Sequence, residues 1–300
     1  MVYAHLAKNR ITTVLLVIAF VAFIVGISII FSEVQTGHPY AFAIPSLLFA
    51  LFYVLVSLAF SKNAVLAMSG AKLIELKDNP ELYRILENLA ISRGLTTPKL
   101  YLINDTAPNA FATGTTKKGA VVAVTSGLLT KLENEELEGV LAHELAHIQH
   151  EDTRLMTIVV LLVGVVTLLA DFFLRSMYWS GRGRRDSEGK GNAVLLFVGI
   201  ILALLSPLIA QLLKLAVSRK REFYADAEAA LTTRFPEGLA RALEKISADQ
   251  EPLEVANRAT AHLYICSPLK GRNAKSFWHT MFSTHPDAKE RVLRLRSMMV

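Results

Sequence analysis

Four long apolar runs constrain this chain more than anything else in it. Ile11 to Phe31 and Ala41 to Phe60 carry no charged residue, and each meets the roughly 20 helical residues needed to cross a hydrocarbon layer. No small-x-small cleavage site follows the first, so it is expected to remain as an anchor. Leu155 to Leu174 holds Asp171 near its end, and Ala193 to Val217 holds Pro207, Gln211 and Lys214. Both are read as further membrane helices whose ionisable groups reach the interface. The expected class is a mainly α membrane protein with about four transmembrane helices. Composition agrees, since 52% of residues are hydrophobic and the mean hydropathy is +0.39, too apolar for an ordinary soluble domain.

The net charge of +6 is informative only locally, because orientation follows Lys and Arg close to membrane helices. Lys8 and Arg10 precede the first run, and Ser32 to Tyr40 has neither residue type, which puts the N-terminus in the cytoplasm. Ser61 to Arg154 then returns to that side, with Lys62, Lys72 and Lys77 near the membrane, and Arg219, Lys220 and Arg221 follow the fourth run. The loop Arg175 to Asn192 opposes this pattern with Arg175, Arg182, Arg184, Arg185 and Lys190. The expected location is a multi-pass protein of the cytoplasmic (inner) membrane with its active site facing the cytoplasm. The partners expected are the lipid bilayer and protein substrates, and no nucleic acid.

Four segments follow: 1–60 with two transmembrane helices (about 11–31 and 41–60), 61–154, 155–217 with a second membrane hairpin around a Gly/Arg-rich loop at 180–192, and 218–300. In the second, Asn79 as N-cap, Pro80 at N1 and Leu82, Ile85, Leu86 and Leu89 at helical spacing predict a helix stopped near Gly94. Lys99 to Ile103 and Gly119 to Thr125 read as two strands of a small sheet. Asn134 as cap, acidic Glu135 and Glu136, and the stripe Leu137, Val140, Leu141, Leu145 and Ile148 predict another helix. With no proline after it, this helix is expected to run straight into the third membrane segment. If the Gly119 to Thr125 strand is a sheet edge, it can hold an extended substrate by backbone pairing.

That second helix carries His143-Glu144-Leu145-Ala146-His147, an H-E-x-x-H pattern. Residues four apart share a helix face, so the two imidazoles can converge on one zinc ion while Glu144 meets the water on the metal. His150 cannot join them, because seven residues span about 10.5 Å along the axis; it is read as a polar residue at the site rim. A catalytic site calls for a third ligand from elsewhere, a carboxylate for preference. Glu222 and Asp226, four apart in Ser218 to Asp226, are the best source: one can ligate while the other orients a histidine. The bland alternative is a charged helix face paired with Arg219 and Arg221. The lone Cys266 rules out an internal disulfide and reads as a buried structural thiol.

Together these features resemble the HtpX-type bacterial membrane metalloproteases, relatives of the CAAX prenyl endopeptidases. The likeness spans two N-terminal membrane helices, Pro108 to Gly114, the His143 motif, two more apolar runs, Arg219 to Asp226, and Thr284-His285-Pro286 with Arg291. It implies a gluzincin-like metalloprotease domain of helices plus a small β-sheet, with one Zn2+ held by His143, His147 and Glu222. It also implies Glu144 as base, Asp226 behind a ligand, Asn109 gripping the substrate backbone, and His285 with Arg291 steadying substrate or oxyanion. Read alone, Asn109 is a turn residue after Pro108 and His285 a loop residue before Pro286.

The activity implied is zinc-dependent endopeptidase action in quality control of misfolded or damaged membrane proteins. The alternatives are a prenyl-protein endopeptidase, which usually has more membrane helices around a chamber, and a non-proteolytic scaffold with structural zinc. Structural sites tend to have four protein ligands, often cysteines.

Overall fold

A computed structural model describes residues 2–164, 218–256, 260–268 and 286–299. The fourth apolar run, the Arg-rich loop and His285 lie outside the described residues, and the third run is described to residue 164.

Two long helices, α1 (Val2–Thr36) and α2 (Ala43–Met68), lie against each other across a turn where Gly37 takes φ 68°. The Ser28 and Ser46 hydroxyls meet between them at 2.6 Å. Their stretches Asn9–Ile30 and Ala43–Met68 are long and apolar enough to cross a membrane. Both helices overrun the charge-free runs because nothing in the flanking sequence breaks a helix until Gly37 and Gly70. Ile18, Phe52 and Leu55 point outward, Leu55 with 66% of its surface exposed. Water penalises such an outward apolar face at about 25 cal/mol per Å², and lipid does not.

The rest of the described chain is built on a four-stranded mixed sheet in the order β1-β2-β4-β3. Its strands are β1 (Lys72–Ile74), β2 (Lys99–Ile103), β3 (Ala110–Thr113) and β4 (Val121–Thr125). β1 runs antiparallel to β2, β2 parallel to β4, and β3 antiparallel to β4. The condition set for the Gly119 to Thr125 strand, that it be a sheet edge, is not met: β4 is flanked on both sides, and all five of its residues are buried. β3 lies outside it, and Ala110 O accepts a hydrogen bond from Ile265 N at 3.0 Å.

Alternation along the strands feeds two cores. Val122 and Val124 face the larger one, with Leu86, Leu141, Leu145 and Leu243. Phe111 and Ala123 face the other, with Met156, Val160 and Tyr264.

α3 (Pro80–Ser92) starts as its sequence predicts, with Asn79 Oδ1 accepting from Leu82 N at 3.1 Å. The short α4 (Ser126–Lys131) follows β4. α5 (Asn134–Gln149) is capped by Glu133 rather than Asn134, for Glu136 Oε2 accepts from Glu133 N at 2.9 Å in a capping box. It does not run on into the membrane segment. His150 closes it, Glu151 takes φ 57°, and a new helix, α6, starts at residue 152.

The remaining described elements are α7 (Arg219–Thr233), α8 (Pro236–Ala248), a 3-10 turn at Ala261–Leu263, α9 (Ala288–Arg296) and a closing 3-10 turn at Ser297–Met299. α5 packs on α3, α7 and α8. At Gly139 a Cβ would stand 2.7 Å from Leu239 N, so only glycine lets α5 and α8 approach this closely.

Candidate metal centre

The four-residue spacing of His143 and His147 on α5 brings their Nε2 atoms to 3.1 Å, with ring planes at 88°. Glu222, in the first turn of α7, sets Oε1 3.5 Å from His147 Nε2 and Oε2 3.9 Å from His143 Nε2. One donor atom from each residue lies within 4.8 Å of the others, and all three side chains are buried. A tetrahedral zinc with bonds of roughly 2.0–2.1 Å holds its ligand atoms about 3.3 Å apart. The two imidazole nitrogens stand close to that spacing, and the Glu222 carboxylate lies somewhat beyond it. Among the described residues no fourth His, Cys, Asp or Glu joins them, a donor set suited to an ion with one open position.

Each imidazole is held from behind. His143 Nδ1 is 2.9 Å from Asp226 Oδ1. Arg291 of α9 grips the same carboxylate with two bonds, Nη2 to Oδ1 at 2.6 Å and Nε to Oδ2 at 2.8 Å, and donates from Nη1 to Ile265 O at 2.8 Å. His147 Nδ1 is 3.0 Å from Asp152 Oδ2.

Electrostatics divide these groups. Burial drives the His143 pKa down to about 4, opposed by its Asp226 bond and assisted by Arg291. Burial pulls His147 the same way, but the Asp152 bond and the Glu222 charge overcome it and raise the pKa to about 9. For Glu144, burial raises the pKa to about 7, against the pull of His147 and of a hydrogen bond from the Ala112 amide of β3. Asp226 stays below the usual carboxylate range because Arg291 outweighs its burial.

Residues 76–299 match the family model for Peptidase family M48. The chain belongs to peptidase family M48. This M48 chain is 42% identical, over 299 residues and 99% of both chains, to a "Protease HtpX homolog" of Tropheryma whipplei (strain Twist). It is 47% identical over 238 residues, 79% of this chain and 76% of the relative, to a "Protease HtpX homolog" of Dictyoglomus thermophilum. Its fold is similar to the crystal structure of S. mikatae Ste24p, with TM-score 0.52 at 23% identity, covering 96% of this chain and 66% of that one. The M48 chain is a metalloendopeptidase and a membrane protein, and its substrates are proteins.

Of the residues singled out by sequence, the M48 chain brings His143, Glu144, His147, Glu222, Asp226 and Arg291 into one buried cluster. Arg291, at 1% exposure, bonds Asp226 and Ile265 and also reaches the cluster itself, with Nη2 3.4 Å from the His143 ring nitrogens and Nη1 3.7 Å from Glu222 Oε2. Asn109 is likewise engaged, donating from Nδ2 to Cys266 O at 3.1 Å and accepting at Oδ1 from Ala110 N at 3.1 Å. It fastens β3 to the 264–266 segment. His150 is buried, not at a rim, with Nε2 3.1 Å from Glu228 Oε1 and its ring edge-on to Tyr224. Cys266 is a buried free thiol.

Sequence reasoning missed Asp152 and the Ala112 amide. A break after His150 would have drawn attention to Asp152, but neither His150 nor Glu151 is a helix breaker.

Proposed function

We propose that His143, His147 and Glu222 hold one zinc ion and that Glu144 is the general base of the peptidase reaction. The observation that carries this reading is the convergence of two buried imidazole nitrogens and a carboxylate within 4.8 Å of one another, beside a second carboxyl group on the same helix turn. A general base works best with a pKa near the operating pH, and Glu144 at about 7 meets that condition.

Zinc, when bound, supplies a Lewis acid that activates water and polarises the scissile carbonyl. Everything else falls to the chain. Glu144, oriented by the Ala112 amide, takes the proton of the attacking water and passes it to the leaving amine nitrogen. Asp226 and Asp152 accept the Nδ1 protons of His143 and His147, which leaves both Nε2 lone pairs turned toward Glu222. Arg291 keeps Asp226 ionised for that task. The three-donor set favours this mechanism over a scaffold with structural zinc, which calls for four.

Replacing Glu144 by Gln tests the reading. Zinc content should stay at the parent level while hydrolysis of an unfolded membrane protein falls roughly a hundredfold to ten-thousandfold. Parent-like turnover overturns the mechanism. Offering a prenylated peptide beside that substrate separates quality control of misfolded membrane proteins, the reading we adopt, from prenyl-protein cleavage.

The same proposal places segments 61–154 and 218–300 in one protease domain on the cytoplasmic side of four membrane spans. Support comes from the larger core, to which both segments contribute, Leu141 from one and Leu243 from the other, and from Lys8 and Arg10 ahead of α1. Cysteines introduced by Asn134→Cys and Lys220→Cys in a Cys266→Ser background should react with an impermeant thiol reagent only after cells are opened. Labelling in intact cells reverses the topology.

A further inference from the structure

Asn9 is the first residue of the membrane-length stretch of α1, and it is nearly buried at 6% exposure. Its amide is fully used. Nδ2 donates to Asp152 Oδ1 at 2.7 Å and to His150 O at 3.0 Å, and Oδ1 accepts from Arg221 Nη1 at 3.1 Å. Those partners matter individually. Asp152 uses its other oxygen on His147 Nδ1 at 3.0 Å, His150 is the residue that closes α5, and Arg221 immediately precedes Glu222 on α7. One amide therefore sits where the first membrane helix meets both elements that carry the proposed ligands.

We propose that Asn9 is a positioning residue for the metal site, acting through Asp152 on the His147 ring. The inference rests on the reading of His147 as a ligand. Its chemistry is specific to an amide. A ligating imidazole is oriented by what its other nitrogen bonds, and Asp152 can keep one oxygen on Nδ1 only if its carboxylate is held against rotation. Asn9 does that with a donor on the opposite oxygen, while its own oxygen meets a cation. Aspartate in its place would turn an acceptor toward Asp152, and an apolar residue would leave Asp152 Oδ1 with only the Arg221 guanidinium, 3.8 Å away. The neighbouring contact is of another kind. Arg10 pairs with Glu151 at 3.0 and 2.6 Å, but its side chain is 61% exposed, and an exposed pair contributes little. Seating of α1 thus reaches a metal ligand through Asn9 and not through the ion pair beside it.

The test uses the full-length chain in detergent micelles and reads zinc affinity by chelator competition, together with the visible spectrum of the cobalt(II)-substituted protein. Asp152→Ala should weaken zinc about 10- to 100-fold. Asn9→Ala, one bond further out, should weaken it about three- to tenfold, at or below the lower edge of that range, and shift the cobalt bands. If Asn9 acts through Asp152, adding Asn9→Ala to Asp152→Ala should change affinity less than about twofold, since residues in one chain of bonds are not additive. Arg10→Ala should bind zinc as the parent does. Should Asn9→Ala fail to fold, the same-sized Asn9→Asp replaces it and should weaken zinc at least as much. Parent-like affinity in either Asn9 variant, full additivity in the double variant, or equal weakening by Arg10→Ala overturns the proposal. Both readouts need no substrate, so a protein that binds zinc as expected but cleaves nothing sinks the peptidase mechanism and leaves this inference standing. Intact hydrolysis with unmoved affinity in Asn9→Ala does the reverse.

Discussion

His143 and His147 leave the same helix one turn apart, yet they are held by different parts of the molecule. His143 is braced from the interior of the catalytic body by Asp226, itself clamped by Arg291 of α9. His147 is braced from the membrane junction by Asp152, in the first turn after α5 breaks. Burial drives His143 toward the neutral form, with Arg291 assisting and the Asp226 bond opposing, whereas at His147 the Asp152 bond and the Glu222 charge overcome burial and favour the charged form. A symmetrical motif is thus set in an asymmetrical field, and damage to the two sides should be distinguishable.

The largest effect should come from the one residue that faces both histidines. Glu222→Ala removes a proposed ligand outright, and purified protein should lose its zinc, measured as metal per chain. Full occupancy would mean another carboxylate serves.

Next come the two braces. Asp226→Ala and Asp152→Ala should each weaken zinc about 10- to 100-fold, but their stability effects should part. Removing Asp226 leaves Arg291 buried with its main countercharge gone, and breaking a buried pair in this way typically destabilises by about 3–5 kcal/mol. In the zinc-loaded protein, where His147 is neutral, Asp152 faces an imidazole, an amide and a more distant arginine, 3.8 Å away, so its loss should lower the melting temperature less. Equal losses of stability would erase the distinction between the two sides.

The smallest effect is a proton. With pKa values of about 4 and about 9, the metal-free pair holds one proton near neutral pH, on His147. Its raised pKa means that this charge stabilises the metal-free protein below about pH 6.5 in full and is lost as pH rises through about 9. Zinc must displace that proton. Zinc binding at pH 7.5 should therefore release about one proton from the pair, read by calorimetry in buffers of different ionisation enthalpy, and affinity should level off above about pH 9. Release of none, or of two, would show that the field does not divide the histidines in this way.

Local rules made much of this legible. Asn79 and Pro80 start α3 where capping chemistry says they should, Lys99 to Ile103 is β2 to the residue, and Asp226 was found because it lies one turn from Glu222. What escaped depended on tertiary neighbours. β1 and β3 are three and four residues long, too short to show a period, and β3 is buried throughout, so it has no polar alternation to reveal it. That β4 is interior follows from the parallel crossover between β2 and β4, which no local pattern encodes. The turn at Glu151 is a left-handed conformation uncommon outside glycine and asparagine. Without it Asp152 reads as the interior of a continuous helix, not as a partner of His147. The resemblance supplied Arg291 as a residue but not its place, since a charged position on an amphipathic helix gives no sign that it is turned inward.

The order of these parts along the chain also sets when the enzyme can first act. His143 and Arg291 are 148 residues apart, and at roughly 5–20 residues per second the ribosome needs about 7–30 s to cover that distance. Through that interval the nascent protein has its histidine motif but lacks the brace behind Asp226, and for much of it lacks Glu222 as well. A protease that is made at the membrane among other unfolded chains is thereby kept from completing its cutting site until the chain has been made as far as Arg291.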